Sequence, residues 1–323
     1  MEKIKVGIVG AAGYTGGELI RLLINHPFAE IGFAHSKSQA GKPVSAVHRD
    51  LFGDTDLVFA NQIDVSADVV FLCMGHGESS RFLEDFSFPS TVKLIDLGND
   101  FRLNAEGNDF VYGLPELNRG LITKAQKIAN PGCFATAIQL ALFPLAEAAK
   151  LNTDINITAV TGSTGAGQGL SATSHFSWRT NNLSVYKAFS HQHEGEIKQS
   201  LAQLQGQFNV PFHFVPVRGD FSRGIMASVH LTCDWTAAEA EEKFRTYYAN
   251  HPFVHISSEN IDLKQVVNTN KCLVNIEKHG DQLHIISMLD NLLKGASGQA
   301  VQNMNLMFGF AEMAGLRLKA AAY

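Results

Sequence analysis

The sequence predicts an α/β chain of two domains: a doubly wound parallel sheet followed by an α+β domain. Up to about Leu97, strand-like apolar runs such as 68–73 and 92–97 alternate with helical or loop segments, which is the rhythm of parallel βαβ units. The loop 75–80 follows one of these strands, where parallel sheets bind ligands. From Asn152 onward, longer runs alternate as half-buried strands do. These runs are 155–160, 225–231, 272–276 and 283–288.

The first strand, 4–9, leads into a glycine-rich turn and an amphipathic helix. Glycines let the backbone approach a pyrophosphate, and the N-terminus of the following helix supplies oriented N–H groups. The spacing is G-x-x-G-x-x-G instead of the usual G-x-G-x-x-G of Rossmann domains, and a tight turn without a ligand is the alternative. We expect a dinucleotide to bind this turn, which consists of Gly10, Ala11, Ala12, Gly13, Tyr14, Thr15 and Gly16.

The end of the next strand, 31–34, predicts which dinucleotide binds. NAD sites usually place Asp or Glu there to bind the ribose 2′-hydroxyl, whereas this strand is followed by His35 and then by Ser36, Lys37 and Ser38. Two hydroxyls and an ammonium group suit a 2′-phosphate, and there is no carboxylate to repel it. The sequence therefore predicts NADP(H) at these three residues, with an ordinary polar loop as the alternative.

Composition and charge exclude several classes of protein. A net charge of −5, with the 26 Lys and Arg residues spread thinly, argues against nucleic-acid binding. The N-terminus lacks the pattern of a signal peptide, and polar residues and a proline interrupt the longest apolar stretch, 134–149, so we expect no membrane span. Three of the four cysteines, Cys73, Cys233 and Cys272, lie in strand-like runs and should be inert core residues. We expect a cytoplasmic protein.

The fourth cysteine, Cys133, has a different setting. It follows the turn Asn130-Pro131-Gly132 and begins an apolar helix that should kink or restart at Pro144. Helix N-terminal N–H groups and the macrodipole favour a thiolate, so Cys133 is a candidate nucleophile toward a carbonyl; a buried structural cysteine is the alternative. We place the domain boundary near Pro144. The expected domains are 1–147 together with a C-terminal helix over 298–323, and 148–297.

A histidine cluster at 191–196, at the start of a predicted helix, could complete a site around Cys133. His193 could hold the thiolate and transfer a proton, and Glu196, one turn along, could orient its ring. The alternatives are a solvated helix start and a metal site. A metal would need further ligands that no other cluster offers, so we expect none.

Two further features could contact a substrate. The loop 161–169 offers bare amides and hydroxyls, Ser163 among them, although a loop without a ligand would look the same. Arg102 and Arg223 could each bind a carboxylate or a phosphate, or could form a structural ion pair.

A dinucleotide domain, an activated cysteine, a candidate base and anion-binding arginines together describe an acylating aldehyde dehydrogenase. Over nearly its whole length the chain resembles the N-acetyl-γ-glutamyl-phosphate reductases, a family related to the aspartate-semialdehyde dehydrogenases. The motifs that carry the resemblance are the turn 10–16, Asp100-Phe101-Arg102, Tyr112-Gly113-Leu114-Pro115-Glu116, Asn130-Pro131-Gly132-Cys133, His191-Gln192-His193 and the segment Lys294–Asn305.

The resemblance implies a second domain of the glyceraldehyde-3-phosphate-dehydrogenase type and an NADP-dependent phosphorylating semialdehyde dehydrogenase of arginine biosynthesis. Cys133 would attack the γ-carbonyl of N-acetyl-γ-glutamyl phosphate, phosphate would leave, and NADPH would reduce the thioester to N-acetylglutamate 5-semialdehyde. The implied roles are His193 as acid/base, Glu196 as its orienter, Lys294 and Gly295 as cofactor residues, and Arg102 and Arg223 as substrate residues.

The chain departs from the family pattern in loops that we expect to face the substrate. The segment 191–196 lacks the usual proline. The segment 215–224 is longer than usual, so either Arg218 or Arg223 could be the arginine that binds the substrate in this family. The acyl group on the glutamate nitrogen, which is acetyl by default, could instead be succinyl. Two alternative functions also stay open: an aspartate-semialdehyde dehydrogenase and an NADP(H) sensor without turnover. Because one large sheet should have an exposed face, we expect a homodimer or homotetramer.

Overall fold

A computed structural model describes residues 2–75 and 77–321, so His76 of the loop 75–80 lies outside the described residues. The chain forms two units, Met1–Pro131 with Ala296–Arg317, and Gly132–Gly295 with Leu318–Tyr323. The helix that begins at Cys133, which we had placed in the first domain, therefore lies in the second unit.

The first unit contains a seven-stranded sheet in which all paired strands are parallel. Its strands are β1 (Ile4–Val9), β2 (Ala29–His35), β3 (Phe59–Ala60), β4 (Val69–Leu72), β5 (Lys93–Asp96), β6 (Val111–Tyr112) and β7 (Lys127–Ala129). The order β3-β2-β1-β4-β5-β7-β6 reverses direction between β1 and β4, and ligands bind at the carboxyl edge of such a switch point. All four residues of β4 are buried, as in a strand covered on both faces. The predicted doubly wound sheet is confirmed.

The second unit contains a mixed seven-stranded sheet. Its strands are β8 (Ile155–Thr161), β9 (Ser184–Val185), β10 (Phe212–Arg218), β11 (Ile225–Thr232), β12 (Val254–Ser257), β13 (Cys272–His279) and β14 (Gln282–Leu289). Their order is β12-β13-β14-β11-β8-β10-β9. In β11 buried residues alternate with more exposed ones, so this sheet has one covered face.

The helices are α1 (Tyr14–Leu23), α2 (Glu78–Asp85), α3 (Pro115–Ile122), α4 (Cys133–Glu147), α5 (Phe176–Arg179), α6 (His193–Gln205), α7 (Ala237–Tyr248) and α8 (Gly298–Met307). In the second unit α4 packs against α6, β11 and β14, which explains why it belongs there. Among residues 2–75 and 77–321, no helix is long and apolar enough to cross a membrane.

The helix α4 runs through Pro144, where we had predicted a kink or a restart. A proline has no N–H for the carbonyl four residues earlier, which here belongs to Leu140. The hydroxyl of Tyr248 donates to that carbonyl at 2.6 Å in the buried interior. The tertiary partner therefore replaces the missing backbone bond, and α4 continues to Glu147.

The helix α8 ends at Met307, whereas we had predicted a C-terminal helix over 298–323. Gly309 has φ 69°, a left-handed conformation that suits glycine. Its N–H donates to the carbonyl of Leu306 at 3.2 Å, and the N–H of Phe310 donates to that of Asn305 at 2.8 Å. These two bonds form a Schellman motif, which ends the helix.

Candidate active site

Cys133 is the first residue of α4, as predicted, and it is half-buried. Gly132 is the N-cap, and it offers no side chain to the first amides of the helix. The first turn contains no acidic residue that would oppose a thiolate. Cys133 therefore lies at the positive dipole end of α4, which favours the anionic form of its sulfur.

His193 and Glu196 lie on the first turn of α6 and are almost completely buried. The amide of Gly132 donates to Oε2 of Glu196 at 3.0 Å, while Oε1 lies 3.8 Å from Nε2 of His193. A β-carbon on Gly132 would overlap His193 Nε2 and lie 2.7 Å from Glu196 Oε1. The structure therefore brings all three predicted catalytic residues, Cys133 included, to one place.

A second histidine, His191, supports the first. Its ring lies 4.6 Å from that of His193 at an angle of 72°, and its Nδ1 accepts the backbone N–H of His193 at 3.2 Å. Phe134 and Tyr186 pack their edges against His191 at 5.5 and 5.8 Å. Sequence reasoning had given no role to Tyr186, which lies in an otherwise unremarked loop.

Gly295 lies against the nucleophile. A β-carbon there would be 2.8 Å from the β-carbon of Cys133, and the Gly295 amide donates to the carbonyl of Asp290 at 2.9 Å. The neighbouring Lys294 is fully buried, with its ammonium 5.9 Å from the centroid of the Phe253 ring. Any larger residue at position 295 would push on Cys133.

Both predicted substrate arginines have protein partners. Arg223 donates Nε and Nη2 to the two carboxylate oxygens of the fully buried Asp290, each at 3.1 Å. Arg102 donates to the carbonyls of Asn130 and Leu97 at 2.8 and 3.0 Å. The first pair ties a loop to the end of β14, and the second holds the strand ends that precede the nucleophile turn. Asp290 was not singled out from the sequence, where nothing distinguishes it from a solvated acid.

The loop 161–169 also differs from the expectation of bare amides. The first amides after β8 donate to a second loop, which follows β10. The pairs are Gly162 with the Gly224 carbonyl at 3.0 Å, Ser163 with Phe221 at 2.8 Å and Thr164 with Ser222 at 3.1 Å. The prediction of bare amides was wrong for these three residues, because their partners lie far away in the sequence. Ser163 itself is half-buried.

The glycine-rich turn of the first unit has the geometry of an anion site. Gly10 has φ 81°, and a β-carbon there would overlap the carbonyl oxygen of Cys73, so only glycine fits. At the start of α1, the N-cap Gly13 offers no side chain and the first turn has no acid, so its amides suit a pyrophosphate. The hydroxyl of Ser297 donates to the carbonyl of Thr15 at 2.9 Å and supports the turn.

The predicted 2′-phosphate residues lie beside this turn. The amides of Gly10 and Ala11 donate to the carbonyl of His35 at 3.1 and 3.0 Å, and Ser36–Ser38 follow directly. Lys37 and Ser38 are exposed, whereas Ser36 is buried. The two predicted parts of the cofactor site are therefore adjacent.

Two family models match the chain. The model described as semialdehyde dehydrogenase, NAD binding domain, matches residues 5–125, and the one described as semialdehyde dehydrogenase, dimerisation domain, matches residues 133–291.

Among curated relatives, the N-acetyl-gamma-glutamyl-phosphate reductase of Phocaeicola vulgatus is 57% identical, over 99% of this chain and 100% of that protein. The protein of the same name from Flavobacterium johnsoniae is 56% identical with the same coverage.

Solved structures with the same fold are more distant in sequence. An aspartate semialdehyde dehydrogenase II from Vibrio cholerae, complexed with ASA, has a TM-score of 0.75 at 18% identity, over 96% of this chain and 99% of that one. The aspartate semialdehyde dehydrogenase of Candida albicans, solved with NADP, has a TM-score of 0.68 at 16% identity, over 94% and 98%. These similarities show the fold.

We predict that Gly132→Ala slows alkylation of Cys133 by iodoacetamide at pH 6.5 by roughly tenfold or more, because the added methyl displaces the His193 ring from the nucleophile. The backbone at Gly132, with φ −72° and ψ 152°, accepts alanine, so the overlap alone is tested. The rate is read by mass spectrometry of the peptide that contains Cys133.

Gly120→Ala is the matched control, because a β-carbon at that position meets nothing within 4 Å. Equal alkylation rates in the two variants would show that the contact between Gly132 and His193 does not govern the thiol.

Proposed function

Because the chain belongs to the N-acetyl-γ-glutamyl-phosphate reductases of the semialdehyde dehydrogenase family, we propose that it reduces N-acetyl-γ-glutamyl phosphate to N-acetylglutamate 5-semialdehyde and phosphate. The observation that carries the proposal is Cys133 at the N-terminus of α4, next to a Gly132 that binds Glu196 and touches His193. A nucleophile and an acid/base in contact are what transfer of an acyl group to sulfur requires. The reaction belongs to arginine biosynthesis, and we place the protein in the cytoplasm, where such metabolites occur.

In the proposed reaction the Cys133 thiolate attacks the γ-carbonyl carbon, and the resulting oxyanion lies near the first N–H groups of α4. Collapse of this adduct breaks the carbon–oxygen bond to phosphate and leaves a thioester on Cys133. His193 holds the thiol proton at Nε2, donates it to the hemithioacetal oxygen after reduction, and takes it back from that hydroxyl as the carbon–sulfur bond breaks. Release of the aldehyde restores the thiolate. Glu196 positions both the nucleophile turn and the imidazole.

NADPH supplies the hydride when it is bound. Three features fit a dinucleotide: the left-handed Gly10, the uncapped start of α1 and the adjacent Ser36–Ser38 turn, in which no carboxylate stands. By family resemblance Lys294 and Gly295 also serve the cofactor, and the place of Gly295 against Cys133 within the second unit supports this, since hydride must reach a thioester on that sulfur.

We also propose that the protein works as a homodimer or homotetramer joined through its second unit. The match of residues 133–291 to a dimerisation domain supports this. So do large apolar side chains that the segment 170–189 exposes to solvent, namely Leu170, Phe176, Leu183, Val185 and Phe189. We expect light scattering at micromolar concentration to give at least twice the 35.2 kDa chain mass. A mass of one chain would remove this part of the proposal.

We predict that the protein reduces NADP in the presence of N-acetylglutamate semialdehyde and phosphate, and that Cys133→Ser lowers this rate by roughly a thousandfold or more because a hydroxyl replaces the nucleophile. The absorbance of NADPH reports the rate. N-succinylglutamate semialdehyde and aspartate semialdehyde are assayed in parallel, and the preferred substrate identifies the acyl group.

Cys233→Ala is the control for loss of a thiol, since Cys233 is a core residue of the second unit. If the wild type is silent with all three semialdehydes, or if Cys133→Ser keeps its activity, the proposed reaction is wrong.

We predict that Lys37→Glu raises the KM for NADPH by roughly 10- to 100-fold and leaves the KM for NADH nearly unchanged, because a carboxylate there repels the 2′-phosphate and NADH has none. Lys42→Glu makes the same charge change at another exposed lysine nearby, and it should alter neither constant more than about threefold. Equal effects of Lys37→Glu on the two cofactors would place the 2′-phosphate elsewhere.

A further inference from the structure

Arg218 lies at the end of β10, where it pairs in register with Thr161 of β8 and Ser184 of β9. Its guanidinium carbon is 4.8 Å from the centroid of the Tyr186 ring, an ordinary cation–π distance. Tyr186 in turn packs on His191, and His191 packs on His193. A continuous set of ring contacts therefore connects Arg218 to the proposed acid/base.

Tyr186 is also within electrostatic reach of the nucleophile. Burial, and to a smaller extent the negative charge of Cys133, raise the pKa of Tyr186 to about 12, while the charge of Arg218 and a side-chain hydrogen bond with Arg218 act in the opposite direction. The phenol therefore stays protonated in the working range of pH. It separates a positive guanidinium from the sulfur without adding charge of its own.

The positive charge of Arg218 has no acidic partner. In the part of the chain that the structure describes, no Asp or Glu forms an ion pair with it, and its Nε is buried without a hydrogen-bond partner. Because no carboxylate in that part of the chain neutralises this charge, an incoming oxyanion would be favoured beside the guanidinium. Arg223 is the contrast, because Asp290 already binds its guanidinium on two nitrogens.

A second guanidinium adds to the local positive charge. Arg179 is almost completely buried and donates Nη1 to the carbonyl of Arg218 at 2.9 Å. Burial is the main cause that lowers the pKa of Arg179, the charge of Arg218 lowers it further, and Asp220 opposes both. The amide of Asn181 donates to Asp220 at 2.5 Å, so that carboxylate is engaged within the same loop region.

We propose that Arg218, held over the ring of Tyr186, is the residue that binds an oxyanion of the acyl substrate beside Cys133, and that Arg223 serves to fix the loop after β10. The inference rests on the proposed function and names the specificity residue of that site. The oxyanion is either the free carboxylate of the N-acyl-glutamyl group or the phosphate. Both are recognised by a guanidinium, which can donate two parallel hydrogen bonds to a carboxylate or a phosphate.

The test is steady-state kinetics of NADP reduction in which the semialdehyde and phosphate are varied separately, on the wild type, Arg218→Met and Arg218→Lys. We expect Arg218→Met to raise the KM for one of these two reactants by roughly 10- to 100-fold, with the KM for NADP unchanged. Arg218→Lys keeps the positive charge but not the paired N–H donors of the guanidinium, so its KM should lie between those of the wild type and Arg218→Met. It is also the variant to use where methionine prevents folding, which thermal unfolding reports.

Two different outcomes show whether Arg218 binds the carboxylate or the phosphate. If Arg218 binds the carboxylate, wild-type preference for N-acetylglutamate semialdehyde over 4-acetamidobutanal, which lacks that carboxylate, disappears in Arg218→Met. If it binds phosphate, the KM for phosphate rises and the preference between the two aldehydes stays. Arg245→Met is the matched control, because Arg245 is an exposed arginine paired with Glu241 on α7, and all constants should stay within about threefold.

Two results would overturn the inference and leave the proposed function intact. In the first, the wild type is active and Arg218→Met has the same constants; in the second, the selective rise in KM occurs in Arg223→Lys instead. A wild type that is silent with every semialdehyde would overturn the proposed function itself, and the role of Arg218 in it. The two failures are therefore separate.

Discussion

The hydrogen bond from the Gly132 amide to Glu196 is the constraint on which the site depends. It joins the residue before the nucleophile to a carboxylate that is only 2% exposed, so the start of α4 and the first turn of α6 hold a fixed separation. A carboxylate buried to that degree needs a donor, and the uncapped helix start provides one. Because Gly132 has no side chain, His193 can approach the same turn closely. Cys133, His193 and Glu196, the three residues of the proposed mechanism, are thus parts of a single packing arrangement.

The placement of a thiol, more than its chemical type, decides what it can do in this chain. Burial raises the pKa of the Cys73 thiol to about 12, which keeps it protonated and unreactive. Cys133 has a similar exposure but begins α4, whose positive dipole end favours a thiolate. The same reasoning applies to the turn at Gly10, where a backbone open to an anion is created by a left-handed glycine and an uncapped helix.

The arginines of the second half of the chain and Arg102 differ in the protein groups that bind their guanidinium groups. Arg223 and Arg102 satisfy their donors on a buried carboxylate and on strand-end carbonyls, and in doing so they fix the loops around the nucleophile. Arg218 lies on an aromatic ring and keeps a buried donor without an acceptor. Ordered positive charge that the protein itself does not neutralise is what a substrate with two anionic groups requires.

The sequence by itself determined the features that depend on near neighbours in the chain. The glycine turn after β1, the polar turn after β2, the cysteine that begins α4 and the His193 and Glu196 pair one helical turn apart are local patterns, and each lies where it was predicted. Only the tertiary structure decided the continuation of α4 through Pro144, the amide partners of the loop after β8 and the protein partners of Arg102 and Arg223. In each case the deciding partner is distant in sequence: Tyr248 for the Leu140 carbonyl, the loop after β10 for Gly162–Thr164, and Asp290 for Arg223. Hydrogen bonds and ion pairs act over a few ångströms of space, so a one-dimensional pattern identifies the donor but not the acceptor that the fold brings to it.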